Sequence, residues 1–159
     1  MSEAKIKVLQ TNKKAYFNYE MVEDIECGIA LVGTEVKSIR ANRFSFRDAF
    51  VKIDNNNLVL VSLHISQYKQ GNIFNHDPDR DRRLLAHKQE IKRIKRKVEE
   101  KGMTLVPTKI YLKGNLVKVQ VSLCRGKKVH DKRQAIRERD NKRDLQRELK
   151  AFNLGQTHQ

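Results

Sequence analysis

The chain of 159 residues carries 34 Lys plus Arg against 19 Asp plus Glu, a formal net charge of +15, with 38% of its residues in the hydrophobic set. No run approaches the roughly 18 apolar residues that span a bilayer. Met1 to Lys5 offers no apolar leader, and 7 Gly and 2 Pro exclude collagen-like and Pro-rich classes. A cytoplasmic protein is expected. Cys27 and Cys124 are too few and too far apart for a disulfide scaffold or a zinc cluster, so both are expected to be reduced core thiols. Like charges at this density repel one another in a compact state, and a polyanion removes that repulsion and releases counterions. Nucleic acid is therefore the first expected partner and an anionic membrane surface the second.

In chain order, residues 5–14 alternate poorly and read as a loosely held N-terminal arm. Residues 16–32 read as extended, with Tyr16, Phe17 and Tyr19 favouring strand and Gly28 marking a bend or bulge. Gly33 to Arg40 reads as a short helix with Thr34 as its N-cap and Val36 and Ile39 on one face. Residues 49–53 and 58–65 form a hairpin around Asp54-Asn55-Asn56-Asn57, with Phe44, Phe46 and Phe50 in the core. Residues 66–78 read as a polar loop.

Asp77-Pro78 reads as the start of a long helix carrying Leu84, Ile91, Ile94 and Val98 on one face and stopped by Gly102. Its other face bears Lys88, Lys92, Arg93, Lys95, Arg96 and Lys97, either a phosphate-binding run or simply a solvated face. Thr104–Leu112 and Leu116–Leu123 are strands joined by Lys113-Gly114-Asn115, with Lys118 on the polar side of the second.

Five or six strands in antiparallel hairpins predict a mainly β protein with helices (α+β). The economical closure is an OB-like antiparallel β-barrel with one long and one or two short helices, which sequence patterns alone do not separate from an SH3-like barrel. The apolar patterns end near Cys124. Residues 1–124 hold net +9 and residues 125–159 net +6, so the expected division is a barrel at 1–124 and a basic tail at 125–159 that is disordered when free.

No catalysis is expected. Among His64, His76, His87, His130 and His158, none supplies a ligand at i+3 or i+4 from His76, and Asp77 beside it reads as a helix cap. A Gly-rich phosphate cradle, a Gly-x-Ser-x-Gly turn and paired cysteines are all missing. With six Phe, four Tyr and no Trp, electrostatics and shape should outweigh base stacking, which favours a folded RNA over a free single strand.

The order of motifs adds a resemblance. Asn12-Lys13-Lys14-Ala15, Glu26-Cys27-Gly28-Ile29-Ala30-Leu31, Gly33-Thr34-Glu35-Val36-Lys37-Ser38-Ile39-Arg40-Ala41, His76-Asp77-Pro78, Arg83-Leu84-Leu85 and Gly126-Lys127-Lys128-Val129-His130-Asp131-Lys132-Arg133 follow one another. Over roughly residues 8–150 this resembles the small protein B family, the SsrA-binding proteins of bacterial trans-translation.

The resemblance implies a non-enzymatic adaptor with no cofactor, no metal and no membrane partner, acting as a monomer. It implies binding of the tRNA-like domain of transfer-messenger RNA and delivery to stalled ribosomes. There the tail would fold against ribosomal RNA at the decoding region and in the vacant message channel. By motif it carries RNA binding to Asn12, Lys13, Glu26, Leu85 and Lys118. It carries ribosome engagement to the tail residues Gly126, Lys128, His130, Asp131, Lys132, Arg133, Arg137 and Arg139.

Cys27 and Cys124 depart from the small residues common in the family at those positions. Physically, Lys13 and Lys118 suit phosphates. Glu26 can accept hydrogen bonds from bases or 2′-hydroxyls, anchor a neighbouring Lys or Arg, or be a surface salt-bridge acid. Leu85, about 100° from Leu84 on a helix, either packs on an unstacked base or is core. The alternative function is a generic OB-fold module for tRNA or single-stranded nucleic acid.

Overall fold

A computed structural model describes residues 5–69, 75–127, 139 and 143. Nine strands and three helices occur among the described residues up to Lys127: β1 (Ile6–Thr11), α1 (Lys13–Asn18), β2 (Tyr19–Ile29), α2 (Gly33–Arg40), β3 (Phe44–Ser45), β4 (Phe50–Asp54), β5 (Asn57–Val61), β6 (His64–Ile65), β7 (Arg82–Leu85), α3 (Lys88–Lys101), β8 (Thr104–Lys113) and β9 (Leu116–Gly126). Every strand pairing is antiparallel. The main sheet runs β1-β8-β4-β5-β7-β2-β9, and β9 pairs back onto β8, closing a barrel that leaves β1 alongside the second half of β8. Met1–Gly126 forms one compact unit and Lys127–Gln159 a second. Of the second, Arg139 and Arg143 are helical and exposed.

The inward faces of the strands supply one core, with Leu58, Leu60, Ile110, Val119 and Val121 fully buried. Ile39 of α2 and Ile91 and Ile94 of α3 join it. Each such side chain contributes about 1.5–3 kcal/mol when withdrawn from water. The β4–β5 connection is tight because Asn55 and Asn56 both adopt positive φ, at 47° and 62°, which Asn tolerates better than most residues. Gly102, at φ 62°, stops α3 as expected.

Several elements differ from the sequence reading. The N-terminal arm is strand β1, paired to β8 from Ile6 to Thr11. A register shift between Val8 and Gln10 breaks its period, and Ile6 and Val8 point outward, so its alternation is hidden in the sequence. Tyr16 and Phe17 lie on helix α1 rather than on a strand. Asn12 caps it, accepting from the Ala15 N–H at 3.2 Å. The bulge in β2 falls between Met21 and Glu23, not at Gly28.

Helix α2 is capped by Val32 rather than Thr34. Glu35 accepts from the Val32 backbone N–H at 2.9 Å, while the Thr34 hydroxyl is engaged by His76 Nδ1 at 2.8 Å. Phe44 and Phe46 are core, but Phe50 is exposed.

The largest difference follows Asp77-Pro78, which opens a turn and not a helix. Asp77 Oδ1 accepts from the Asp79 N–H at 3.0 Å, and Pro78 O accepts from the Ile65 N–H at 2.9 Å. Residues 82–85 are then a strand, with Arg82 and Leu84 inward and Arg83 and Leu85 outward. An arginine at an inward position disguised the alternation. Helix α3 begins only at Lys88, and Leu84 is not on it.

Arg82 is fully buried because Glu35, also fully buried, receives its Nε at 2.6 Å. Arg80 adds bonds to the same carboxylate at 2.6 and 3.1 Å. Arg82 spends its remaining donors on the Leu63, Pro78 and Asp77 carbonyls. One carboxylate on α2 thereby fixes β7 and the loop before it, with its polar atoms satisfied as burial requires.

Candidate nucleic-acid interface

Residues of five strands outside the main core line up across the barrel, Tyr111 among them buried. Leu85 on β7 pairs with Gly28 on β2, Gly28 with Lys118 on β9, Lys118 with Tyr111 on β8, and Tyr111 with Val8 on β1. Side chains at such paired positions stand side by side on one face. Leu85 is therefore on a strand and 51% exposed, not a helical or core residue. It rests on Gly28, where an added Cβ would lie 3.3 Å from the Leu85 Cβ. Gly28→Ala is expected to displace Leu85 outward, seen as shifted Leu85 methyl resonances. The unfolding free energy should fall by about 1 kcal/mol, because the contact is with the Leu85 Cβ, which yields only as its strand gives way slightly. A large stability loss would show that Leu85 is held rigidly.

Glu26 sits two residues along β2, opposite Gln120. The Tyr111 hydroxyl donates to Glu26 Oε2, and Lys113 Nζ lies 3.3 Å from Oε1. The Tyr111 bond, aided by Lys113, outweighs desolvation and holds the Glu26 carboxyl below its ordinary range. Burial first, and then the Glu26 charge, push the Tyr111 hydroxyl well up, so it remains a donor. Of the roles open to Glu26, the structure displays the anchoring of a neighbouring lysine. Lys118 is half-buried, and no carboxylate lies within salt-bridge distance of it among the described residues. It acts on the Glu26 carboxylate through space only, so its ammonium donors stay available to an anion.

Asn12 is buried. Its amide donates to the Pro107 carbonyl at 2.9 Å, its Oδ1 caps α1, and its backbone N–H donates to Thr108 O at 2.7 Å. Both ends of the side chain are committed, so Asn12 acts by fixing α1 onto β8. That leaves Lys13, the first helical residue, exposed, while Lys14 pairs with Asp48 at 2.7 Å. Helix α1 lies against the sheet through Ala15, Val106 and Cys124, and Tyr16 OH receives Gln120 Nε2 at 3.5 Å. Beneath it, Gln120 donates to Thr108 at 3.1 Å, Thr108 and Ser122 share a bond of 2.9 Å, and Ser122 donates to Asp24.

The structure therefore brings Glu26, Leu85 and Lys118 together on paired strands and ties Lys13's helix to the same ribbon. Tyr111, Gly28, Gln120 and Glu35 are participants or supports that sequence reasoning missed. Only the alternation around Tyr111 in Ile110-Tyr111-Leu112 hinted at one of them. Of the tail set, Gly126 is the exposed last residue of β9, opposite Tyr19, so that strand runs three residues past Leu123. Arg139 is an exposed helical residue. Lys128, His130, Asp131, Lys132, Arg133 and Arg137 lie outside the described residues.

Both cysteines are free and buried, and burial raises the Cys27 thiol to about 12 and the Cys124 thiol to about 11. Neither is a thiolate near neutrality. His76 spends Nε2 on the Ile65 carbonyl at 2.8 Å and Nδ1 on Thr34, a staple between β6 and α2. Among the described residues no group of three or more His, Cys, Asp or Glu is placed to hold a metal. No described helix is long and apolar enough to cross a membrane.

Residues 9–151 match the family model described as SmpB protein. The chain belongs to the SmpB family. Similar SmpB relatives include the SsrA-binding protein of Treponema denticola, 54% identical over 150 residues, covering 94% of this chain and 97% of the relative. The SsrA-binding protein of Thermosynechococcus vestitus is 53% identical over 146 residues, covering 91% and 96%. A solved chain from "tmRNA-SmpB: a journey to the center of the bacterial ribosome" is 45% identical with a TM-score of 0.66, covering 82% of this chain and 94% of that one. The expected OB-like barrel is thus the SmpB fold, and the SH3-like alternative falls away.

Proposed function

We propose that this chain is a non-enzymatic, monomeric adaptor of trans-translation that binds the tRNA-like domain of transfer-messenger RNA and delivers it to stalled ribosomes. The observation that carries the reading is the cross-strand row Leu85–Gly28–Lys118–Tyr111–Val8, which sets Lys118, with no carboxylate within salt-bridge distance among the described residues, across Gly28 from the exposed Leu85. Family membership, the names of the relatives and the net charge of +15 support it.

In this reading Lys118 and Lys13 meet phosphates. Leu85 packs on an unstacked base or a sugar, and Glu26 holds Lys113 and Tyr111 so that the surface is set before binding. Asn12 acts through Lys13 by fixing α1. The tail residues Gly126, Lys128, His130, Asp131, Lys132, Arg133, Arg137 and Arg139 engage ribosomal RNA at the decoding region and in the vacant message channel.

The test is binding to the tRNA-like domain against a non-cognate tRNA at matched salt. Preference for the former is expected, and equal affinity would favour the generic OB-fold module. Lys118→Ala should weaken cognate binding and lower the slope of log K against log salt by about 0.7–0.9, the share of one phosphate. An unchanged slope would remove Lys118 from the interface.

A further inference from the structure

Helix α3 carries cations on two flanks that the structure treats differently. On one flank, Arg93 and Lys97, four residues apart, both bind Glu23 of β2, Lys97 at 2.8 Å. These two bonds outweigh the desolvation of Glu23 and hold its carboxyl below the ordinary range. They also set the rotation of the helix against the barrel, with Ile91 and Ile94 inward. On the other flank, Lys88, Lys92 and Arg96 follow one another at four-residue steps, all three exposed. No carboxylate lies within salt-bridge distance of any of them among the described residues. Glu99, three residues after Arg96, shares this face at the far end of the helix without forming a salt bridge to it, and Glu100 follows.

This ridge breaks a local rule. Lys88 is the first residue of α3, in a turn whose acidic residue is Glu90, so it stands at the positive end of the helix dipole, where a cation costs a few tenths of a kcal/mol, and like charges four residues apart along the ridge repel one another. The arrangement is unfavourable for the isolated protein, and an anion reverses its sign. Successive members are separated by about 6 Å along the axis, from a rise of about 1.5 Å per residue, comparable with the separation of consecutive phosphates along a strand.

We propose that Lys88, Lys92 and Arg96 form a second RNA-backbone contact, which tracks consecutive phosphates of one strand. It is separate from the β-sheet row and is built from residues outside the set carried over by resemblance. A backbone of this chemistry is offered both by transfer-messenger RNA and by ribosomal RNA. The ridge reads charge and spacing, not sequence, because it presents no base-reading group.

The experiment uses the full chain with Lys88→Gln, Lys92→Gln and Arg96→Gln combined, changes that keep helix propensity and touch no core contact. A control removes equal charge elsewhere, through Arg43→Gln, Lys69→Gln and Lys101→Gln. Binding is measured against salt in two arms, transfer-messenger RNA and purified ribosomes, with thermal unfolding as the check on folding. The ridge variant should lower the slope of log K against log salt by about 2 in one arm, identifying that RNA as the source, while the control leaves it unchanged. Equal slopes for the ridge variant and the parent in both arms, or an equal drop in the control, would overturn the proposal. Lys118→Ala in parallel keeps the two surfaces distinguishable: a ridge effect without a Lys118 effect would sink the β-sheet reading alone.

Discussion

Glu35→Gln is expected to lower the unfolding free energy of this chain by about 3–5 kcal/mol, read from urea denaturation. The substitution conserves shape and removes only the charge, but that charge faces Arg82, which has no exposed surface, and Arg80. Left without a counter-ion, Arg82 would have to remain desolvated and unpaired or drag β7 toward water. Burial raises the Glu35 carboxyl, but the bonds from Arg80, the Val32 N–H and Arg82 together leave it below its ordinary value.

A depressed carboxyl contributes stability that is complete above the unfolded-state value, about 4.3, and is lost as pH falls through the lower folded one. The parent should therefore lose more stability than Glu35→Gln as pH falls below about 4. Parallel acid profiles, or a loss at neutral pH below about 1 kcal/mol, would show that the pair contributes little to holding α2 on β7.

A chain ending at Lys127 is expected to bind transfer-messenger RNA within about threefold of the full chain and to support no tagging of products on stalled ribosomes. Two kinds of contact are separable along the chain. The barrel core and the row around Lys118 lie within Met1–Gly126 and would survive the cut. The removed residues hold nine of the chain's 34 Lys and Arg and no Gly or Pro from Lys128 to Leu154. By composition they favour helix and are crowded with like charge, and a phosphate surface would relieve that crowding. Electrophoretic mobility shift and a tagging assay in a reconstituted translation system would read the two outcomes. Loss of RNA binding as severe as that of Lys118→Ala would refute the division of labour. Normal tagging would remove the tail from ribosome engagement.

Much of the barrel was legible along the chain. The β4–β5 and β8–β9 hairpins announce themselves through alternating apolar residues around Asn-rich and Lys-Gly-Asn turns, which are local signals. Helix α2 and the stop of α3 at Gly102 were likewise local. The misreadings have a common cause. In β7 the inward position next to Leu84 is an arginine, neutralised by a glutamate 47 positions earlier, and no window of neighbouring residues contains that pair. In β1 the outward side chains are Ile6 and Val8, and a register shift erases the period. In α1, six residues are too short to show helical periodicity.

For the candidate site, motif resemblance pointed to Glu26, Leu85 and Lys118. It could not say that they occupy adjoining strands, or that the Glu26 carboxylate is already engaged by Tyr111 and Lys113. Asn12 carries the same lesson, since its amide turned out to be internal, bonded to the Pro107 carbonyl and the Ala15 N–H.

By itself, then, the sequence determined the charge that calls for a polyanion, the hairpins and the family. These reside in composition, in short-range periodicity and in an ordered series of motifs. Only the tertiary structure decided which positions share a surface, because strand pairing sets Leu85 beside Gly28 and Gly28 beside Lys118 across separations of tens of residues. It alone decided which charges are free. A cation's availability depends on whether a carboxylate stands within a few ångströms, and Glu23 answers for Arg93 and Lys97 while no such group faces Lys88, Lys92 or Arg96 among the described residues.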